Sequence, residues 1–404
     1  MSDEAAVLFV DDEPRILNGL RRMLHSMRHQ WHMAFATGGA EALKILRSGQ
    51  FDVIVSDMRM AGMNGVELLG EVLARYPRTV RIVLSGQASK MTVLRSIGLA
   101  HQYLAKPCDA GTLTAALSRV CALRALVADG DVSRAILAVT ALPSLPSLYG
   151  RLVEQVQSPE ASINEIGRTI SGDLGMSARV LQLVSSAFFG EPTNLLVPGK
   201  AAVLLGLDIV KALVKSANAF AEFDAASVSP LGVDSLWRHS RCVARCAGMI
   251  AGAQNADPRA ADGAFVAGML HDAGKAVLAA EFPERYASIL ALDQAHPDAV
   301  TGAERREFGA THAQVGACLM GLWGLPDSVV EAIASHHDPA DRSTGDFAIS
   351  MAVRAADVLV RRNEAADETG LPPETHLAGT DLADRLPLWR ELSQEAMNEE
   401  MANV

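Results

Sequence analysis

The sequence predicts a doubly wound α/β domain followed by an all-α domain. Three observations predict it. Over the first 120 residues short apolar runs alternate with amphipathic helical patterns, the signature of strands and helices laid into a parallel sheet. From ALPSLPSLYGRL at residue 141 the chain turns Ala- and Leu-rich, with long helical patterns and almost no period-two alternation. The charge changes sign between the two parts: residues 1–120 carry 14 Lys+Arg and 11 Asp+Glu, a net of +3, and the remainder carries 22 and 36, a net of −14.

These numbers bound the function. A chain of 404 residues with 49% apolar and 21% charged residues has room for two or three globular domains. A net of −14 on the second part repels a phosphate backbone, and no helix-turn-helix pattern offsets it, so nucleic acid is not an expected partner. No apolar run reaches the roughly 18 residues that span a bilayer, and the start MSDEAAVLFVDDE is acidic where a signal peptide is basic. The expectation is a cytoplasmic protein with no membrane partner. Five scattered cysteines, Cys108, Cys121, Cys242, Cys246 and Cys318, suggest buried thiols and no disulfide framework.

In the first domain four apolar runs are expected to be strands. AAVLFV ends at Asp11 and Asp12, FDVIVSD at Asp57, VRIVLSG at Ser85 and HQYLAKP at Lys106. Helical spacing links them, as in Ile16, Leu17, Leu20, Met23, Leu24 and Met27. Parallel strands share one carboxyl edge where ligands sit, so these ends converge on one crevice. Three carboxylates there repel one another, which a hard divalent cation relieves, and Mg²⁺ suits a site of few carboxylates plus waters. A carboxylate can then act as nucleophile toward phosphorus, with Lys106 neutralising the transferring oxygens and the Ser85 hydroxyl donating to one of them.

The pattern DD, D, S/T, aromatic and KP across residues 5–120 resembles the two-component receiver domain, a flavodoxin-like fold. The resemblance implies a sensor histidine kinase as partner and Asp57 as phosphoacceptor. It implies Mg²⁺ held by Asp12, Asp57 and the Arg59 backbone carbonyl, with Asp11 assisting through water. Ser85 and Tyr103 would be the switch pair and Lys106 the clamp on the phosphoryl group. Lys106–Pro107 is a candidate cis peptide. Ala61 in MAGMNG stands where the family usually has Pro, which touches loop stiffness and no reactive group.

Residues 124–140 are expected to be a helical linker between a receiver at 1–123 and an output domain at 141–366. Across the junction Leu113, Leu117, Val120, Leu123, Leu126 and Val127 form an apolar stripe that needs a partner, either the second domain or the same stripe of a second copy in a homodimer. ISGDLGMSARVLQLVSSAFFG and VPGKAAVLLGLDIVKALVKSANAF are expected to be amphipathic helices with Gly-marked ends.

Polar residues interrupt the later apolar helices. They are His239, the His271–Asp272 pair of MLHDAGK, His312, His336, His337 and Asp357. A buried His or Asp needs a partner, and one ion bonded to several of them satisfies all at once. Taken singly, each histidine is more simply a hydrogen-bonded core residue. The ordered series H…HD…H…HH…D resembles the HD superfamily of metal-dependent phosphohydrolases. That implies a metal, Fe, Mn or Zn, on His239, His271, Asp272 and Asp357, a second on the other histidines, and Lys275 contacting substrate phosphate from the His271 face of one helix.

The flanks LPSLPSLYGRL, DLGMSARVLQLVSSAFFG, GKAAVLLG, HAQVGACLMGLWGLP and AIASHH narrow the resemblance to the HDOD domain, the HD-related output domain. Its usual Asn-Ser is Ser185-Ser186 here, and the GYP-bearing segment of the cyclic-di-GMP phosphodiesterase branch is absent. Two functions follow from the resemblance. One is a response regulator whose output acts by contact with an unknown downstream protein. The other is a phosphorylation-gated metal phosphohydrolase acting on a nucleotide or cyclic dinucleotide. The stretch LMGLWGLP is a candidate contact surface, with core packing the simpler role. The acidic tail from 367 to 404, broken by Pro372-Pro373, is expected to add one or two short closing helices and no chemistry.

Overall fold

A computed structural model describes residues 4–86, 94, 96–126, 130–186, 197–216, 221–222, 232–254, 257–293, 297–338, 349–364 and 383–402. Of the residues named above, Val127, Pro372 and Pro373 lie outside this set.

The first domain is a parallel sheet of five strands in the order β2-β1-β3-β4-β5. They are β1 (Ala5–Val10), β2 (Trp31–Ala36), β3 (Val53–Ser56), β4 (Val80–Ser85) and β5 (Gln102–Ala105). The four apolar runs are strands. The fifth, WHMAFA, escaped the sequence reading because His32 and the partly open Met33, Ala34 and Phe35 give an edge strand with no clean apolar run. Helices α1 (Pro14–Met23), α2 (Gly39–Ser48) and α3 (Gly65–Arg75) pack with the sheet. The register pairs Val10 with Ser56, Ser56 with Val83 and Ser85 with Ala105, so the strand ends form one edge. Asn64 and Glu67 close a capping box at the start of α3. A Cβ on Gly65 would fall 2.3 Å from the Asp57 carbonyl oxygen, so glycine is what lets α3 approach the loop that carries Asp57.

The rest of the described chain is almost wholly helical. Helices α4 (Ala110–Leu126) and α5 (Gly130–Ala138) connect the domains. Helices α6 (Pro146–Gln157), α7 (Ile163–Ser171), α8 (Leu174–Val184), α9 (Pro198–Leu205) and α10 (Leu207–Val214) make the first layer. Two expectations change here. α8 is buried on every side, because it lies between its own domain and the receiver. The second helical segment is two helices, broken at Gly206, whose φ of +84° an L side chain avoids.

The remaining helices surround the His/Asp series: α11 (Val233–Gln254), α12 (Pro258–Leu270), α13 (Ala273–Glu281), α14 (Pro283–Asp293), α15 (Pro297–Phe308), α16 (His312–Leu322), α17 (Asp327–Ser335) and α18 (Ile349–Glu364). The acidic tail contributes α19 (Leu386–Ala402), which buries Trp389 and Ala396 and packs against α11 and α18. Cys242, Cys246 and Cys318 are buried, while Cys108 and Cys121 are half-buried. No described helix is long and apolar enough to cross a membrane.

The apolar stripe of α4 finds its partner within the chain. Leu113, Leu117, Val120 and Leu123 are buried, and α4 lies along α16. A Cβ on Gly321 would come within 2.5 Å of the Leu123 side chain, so the two helices meet where α16 has no side chain. The core of LMGLWGLP, with Leu319, Met320, Leu322, Trp323 and Leu325 buried, is packing and not a free surface.

Candidate functional site

At the carboxyl edge of the sheet the Lys106 ammonium donates to Asp11 Oδ2 and Asp57 Oδ1, each at 2.6 Å. Burial opposes its charge, but the two carboxylates outweigh that and hold the Lys106 pKa above its ordinary value. The other oxygens are fixed by backbone N–H groups. Asp11 Oδ1 accepts from Glu13, Asp57 Oδ2 from Arg59 at 2.6 Å, and Asp12 Oδ2 from Ala61 at 2.8 Å. Position 61 therefore contributes an N–H that proline lacks. Lys106 bridges two of the three carboxylates while Asp12 is held by the Ala61 N–H, and together they offer hard oxygen donors in excess of the one lysine. That donor set suits Mg²⁺, although the lysine now bridges two of its members.

Ser85 is buried at the end of β4, with its hydroxyl 3.5 Å from the Gly86 carbonyl. Tyr103 is turned inward, 2% exposed, and donates to the Ser96 carbonyl at 2.9 Å. The Lys106–Pro107 peptide is cis.

Behind Tyr103 the receiver is bonded to the helical domain. Gln182 of α8 donates to the His101 carbonyl at 3.0 Å, and Gln102 of β5 donates to the Gly321 carbonyl at 3.2 Å. Arg179 of α8 bonds Gln182 and the Thr140 carbonyl and lies over the Trp323 ring. Arg81 donates to the Leu137 carbonyl at 3.0 Å. Arg119 of α4 donates to the Leu325 carbonyl at 3.1 Å and pairs with Asp327 at 2.9 Å. His101 accepts from the Arg81 N–H on Nδ1 and donates from Nε2 to the Leu137 carbonyl. Burial, reinforced by the Arg81 charge, pushes His101 well below its ordinary pKa, so it is a neutral strut.

In the helical domain His239, His271, Asp272, His312, His336, His337 and Asp357 converge on one chamber. Their ligand atoms fall in two groups, each within 4.8 Å: His239, His271 and Asp357, and Asp272, His312, His336 and His337. Asp272 faces both groups. Its Oδ2 is 3.4 Å from His271 Nε2, and its Oδ1 is 3.2 Å from His312 Nε2 and 3.8 Å from His336 Nε2. All seven are buried except His337, which sits at the rim with its Nε2 3.1 Å from that of His312.

The ring orientation carries the chemical information. His271 Nδ1 donates to the Gly268 carbonyl and His336 Nδ1 to the Ile333 carbonyl, each at 2.7 Å. His312 Nδ1 lies 2.8 Å from Glu304, and His239 Nδ1 lies 3.0 Å from Glu364. The outer nitrogens of these four rings therefore each have an acceptor, which leaves their Nε2 atoms facing inward, as in histidines that bind metals. Three inward atoms, His271 Nε2, His336 Nε2 and Asp272 Oδ1, are buried and have no hydrogen-bond partner among the described residues. Such atoms are costly to leave unsatisfied, and a transition-metal cation would satisfy all three. The donor set fits one.

Without a metal, a proton takes the cation's place on His271: burial opposes its protonation, but Asp272 and Asp357 prevail and push its pKa up to about 9, so a metal would have to displace that proton. His336 goes the other way, to about 3, through burial and then the His271 and His312 charges. Asp272 and Asp357 are held well below the carboxylate range despite burial, chiefly by His271 for the first and Arg361 for the second.

Two cations already sit at the chamber wall. Lys275 Nζ is 2.9 Å from Asp272 Oδ2, and Arg361 Nε is 2.8 Å from Asp357 Oδ1. The sequence reading missed Arg361, Glu304 and Glu364. Arg361 was accessible as the i+4 neighbour of Asp357, whereas no local signal marks Glu304. It also placed Lys275 on the helix of His271. Instead α12 ends at Leu270, and Asp272 caps α13 with non-helical ψ of 9°, so Lys275 reaches Asp272. Gly274 makes this junction possible, since a Cβ there would lie 1.9 Å from the His312 carbonyl oxygen.

A phosphoacceptor-type crevice on a doubly wound sheet, bonded to a helical domain with an HD-type chamber, defines a receiver joined to an output module. Family comparisons agree with both halves. The response regulator receiver domain matches residues 7–118 and the HDOD domain matches residues 142–339. The chain therefore carries a response regulator receiver domain followed by an HDOD domain.

Among curated relatives, the hydrogenase transcriptional regulatory protein HoxA of Cupriavidus necator is 32% identical over 60% of this chain and 50% of its own length. The transcriptional regulatory protein ZraR of Escherichia coli K12 is 31% identical over 30% of this chain and 27% of its own. The chain spans half or less of the length of these relatives. Among solved structures, the MmoQ response regulator of Methylococcus capsulatus is similar at 21% identity, covering 64% of this chain and 98% of that one, with a TM-score of 0.49. The receiver domain of an HD domain-containing protein of Pseudomonas fluorescens Pf-5 is 31% identical over 28% of this chain and 92% of its own, with a TM-score of 0.27.

Proposed function

We propose that Asp57 accepts a phosphoryl group from a sensor histidine kinase and thereby controls an HDOD domain that acts through protein–protein contact. The single observation that carries this reading is the Lys106 ammonium bridging Asp11 and Asp57 at the strand ends, with Asp57 at 9% exposure. Asp11, Asp12, Asp57 and the Arg59 carbonyl would hold Mg²⁺, which when bound neutralises the transferring oxygens. Asp57 supplies the attacking oxygen. Lys106 moves from a carboxylate to the incoming phosphoryl oxygens, and Ser85 is next to them on β4.

The added phosphoryl charge competes for Lys106 and for the Ser85 hydroxyl, which biases the position of the β4 and β5 ends. At its other end β5 begins at Gln102, preceded by His101, and both bond the helical domain directly, so the contact with Gln182 and Gly321 is the element that phosphorylation shifts. The test is phosphorylation by acetyl phosphate with Mg²⁺. Wild type is expected to incorporate phosphate and Asp57→Asn none, while hydrogen exchange in Ala110–Leu126 should rise on phosphorylation. Equal incorporation by both proteins removes Asp57 from the role.

One observation favours a second reading, a metal-dependent phosphohydrolase gated by the receiver: the unpartnered His271 Nε2, His336 Nε2 and Asp272 Oδ1. The seven-residue chamber would hold one or two ions of Fe, Mn or Zn, which when bound activate water toward phosphorus. Metal analysis of the purified chain checks it. Absence of bound metal in wild type, with His271→Ala indistinguishable from it, removes the enzyme and leaves the contact regulator.

A further inference from the structure

A second cavity, unrelated to the His/Asp chamber, lies between α6, α7, α9 and α11, with a volume of about 1380 Å³. Six cations line it: Arg151 of α6, Arg168 of α7, Lys200 of α9, and Arg238, Arg241 and Arg245 of α11. Glu165, Asp234 and Glu400 share the lining, Glu165 lies 3.9 Å from Arg168, and Lys200 pairs at 3.2 Å with Asp262 behind the wall, so the uncompensated positive charge is that of Arg151 and Arg238. The three α11 arginines are spaced i, i+3 and i+7, which puts them on one helix face. His239, on the same helix, is directed instead to Asp357.

The cations are not all spoken for. Arg151 and Arg238 are exposed and make no ion pair among the described residues. Arg241 and Arg245 are paired with Glu400 and Glu399 at the end of α19. Two further polar atoms on the wall, Arg245 Nε and Gln155 Oε1, are buried and have no hydrogen-bond partner among the described residues. Leu145, Leu148, Phe265 and Met269 supply an apolar portion of the lining.

We propose that this cavity binds a nucleoside diphosphate. Clustered guanidinium groups match phosphate oxygens in charge and in their forked donor geometry. A volume above the roughly 300–1000 Å³ of an ordinary small-molecule pocket exceeds what a bare phosphate needs. The apolar wall accommodates a base, and the Gln155 carboxamide oxygen accepts from its exocyclic amine or from a ribose hydroxyl. In the ligand-free chain Glu400, which lines the cavity, and Glu399 beside it hold the Arg241 and Arg245 charges that phosphates would take. Binding therefore releases the last turn of α19 from Arg241 and Arg245, and the ligand and the tail compete.

The experiment is calorimetric titration of the full chain at low salt with GDP and ADP, with inorganic pyrophosphate and adenosine as separate arms. At least one diphosphate is expected to bind more tightly than pyrophosphate, and adenosine not at all. Arg151→Ala with Arg238→Ala is expected to weaken it by about tenfold per arginine, with unchanged helicity and melting because neither side chain has an ion-pair partner among the described residues. Glu399→Gln with Glu400→Gln is expected to tighten it several-fold. No heat from either nucleotide, equal affinity in the Arg151/Arg238 variant, or pyrophosphate binding as tightly as nucleotide would each overturn the proposal.

Discussion

The receiver crevice and the His/Asp chamber solve the same problem, several acidic groups brought together, in opposite ways. In the receiver Asp11 and Asp57 are 3% and 9% exposed, but Asp12 and Lys106 beside them at the sheet edge are only half-buried, which keeps the site within reach of water and of an exchanging ligand. In the helical domain Asp272 and Asp357 are 0% and 2% exposed, and five histidines, a lysine and an arginine enclose them. Solvent access is the difference that matters. An open edge can load and unload a phosphoryl group at little structural cost, whereas a buried cluster must be neutralised permanently, by protons, by resident cations or by metal. The first geometry suits exchange and the second a fixed centre.

The strongest way to break this comparison is to remove the central carboxylate of the buried centre. Asp272→Ala leaves Lys275 and His271 without their shared counter-charge in a fully buried site, and is expected to cost about 3–5 kcal/mol in denaturant unfolding. A loss below about 1 kcal/mol would mean that water enters the chamber freely and that the two sites are alike. Gly274→Ala should follow at about 1–3 kcal/mol, because its Cβ meets backbone and no flexible side chain can yield. A melting curve checks it.

The link between the two regions is sharpened by pH. His101 is fully buried with its pKa held well below 6.5 by burial and by Arg81, so the folded chain excludes a proton that the unfolded chain takes up. Stability gained from this strut is present above about pH 6.5 and is lost as pH falls below it. His101→Gln should flatten that part of the pH–stability profile relative to wild type, and an unchanged profile would mean that His101 titrates normally. The smallest effect belongs to Arg119→Ala. Its partner Asp327 is largely exposed, so the change should cost about 0.5–1 kcal/mol while raising hydrogen exchange at the α4–α16 contact.

Much of both sites was legible because the chemistry is written locally. A strand that ends in Asp must place that Asp on the carboxyl edge, so Asp11, Asp12, Asp57, Ser85 and Lys106 could be gathered from sequence. The chamber residues could be named in order but not arranged. The two groups, and the position of Asp272 between them, depend on helices up to 118 residues apart meeting at His239 and Asp357. Glu304 is hidden because it reaches His312 across a turn between α15 and α16, with no periodic relation to it. Arg179 and Gln182 left a readable trace, two polar residues at i and i+3 inside the apolar stretch of α8, and both turned out to touch the receiver side.

By itself the sequence determined the two fold classes, the strand-end crevice and the inventory of histidines and aspartates, because periodicity and strand alternation are properties of neighbouring residues. Only the tertiary structure decided that the α4 stripe is covered by α16 within the same chain, that the histidines turn their Nε2 atoms to a common centre, and that α11 presents arginines to a second cavity. These outcomes are set by packing between elements far apart in the chain, where shape and the satisfaction of buried polar groups choose among arrangements that local pattern leaves equivalent.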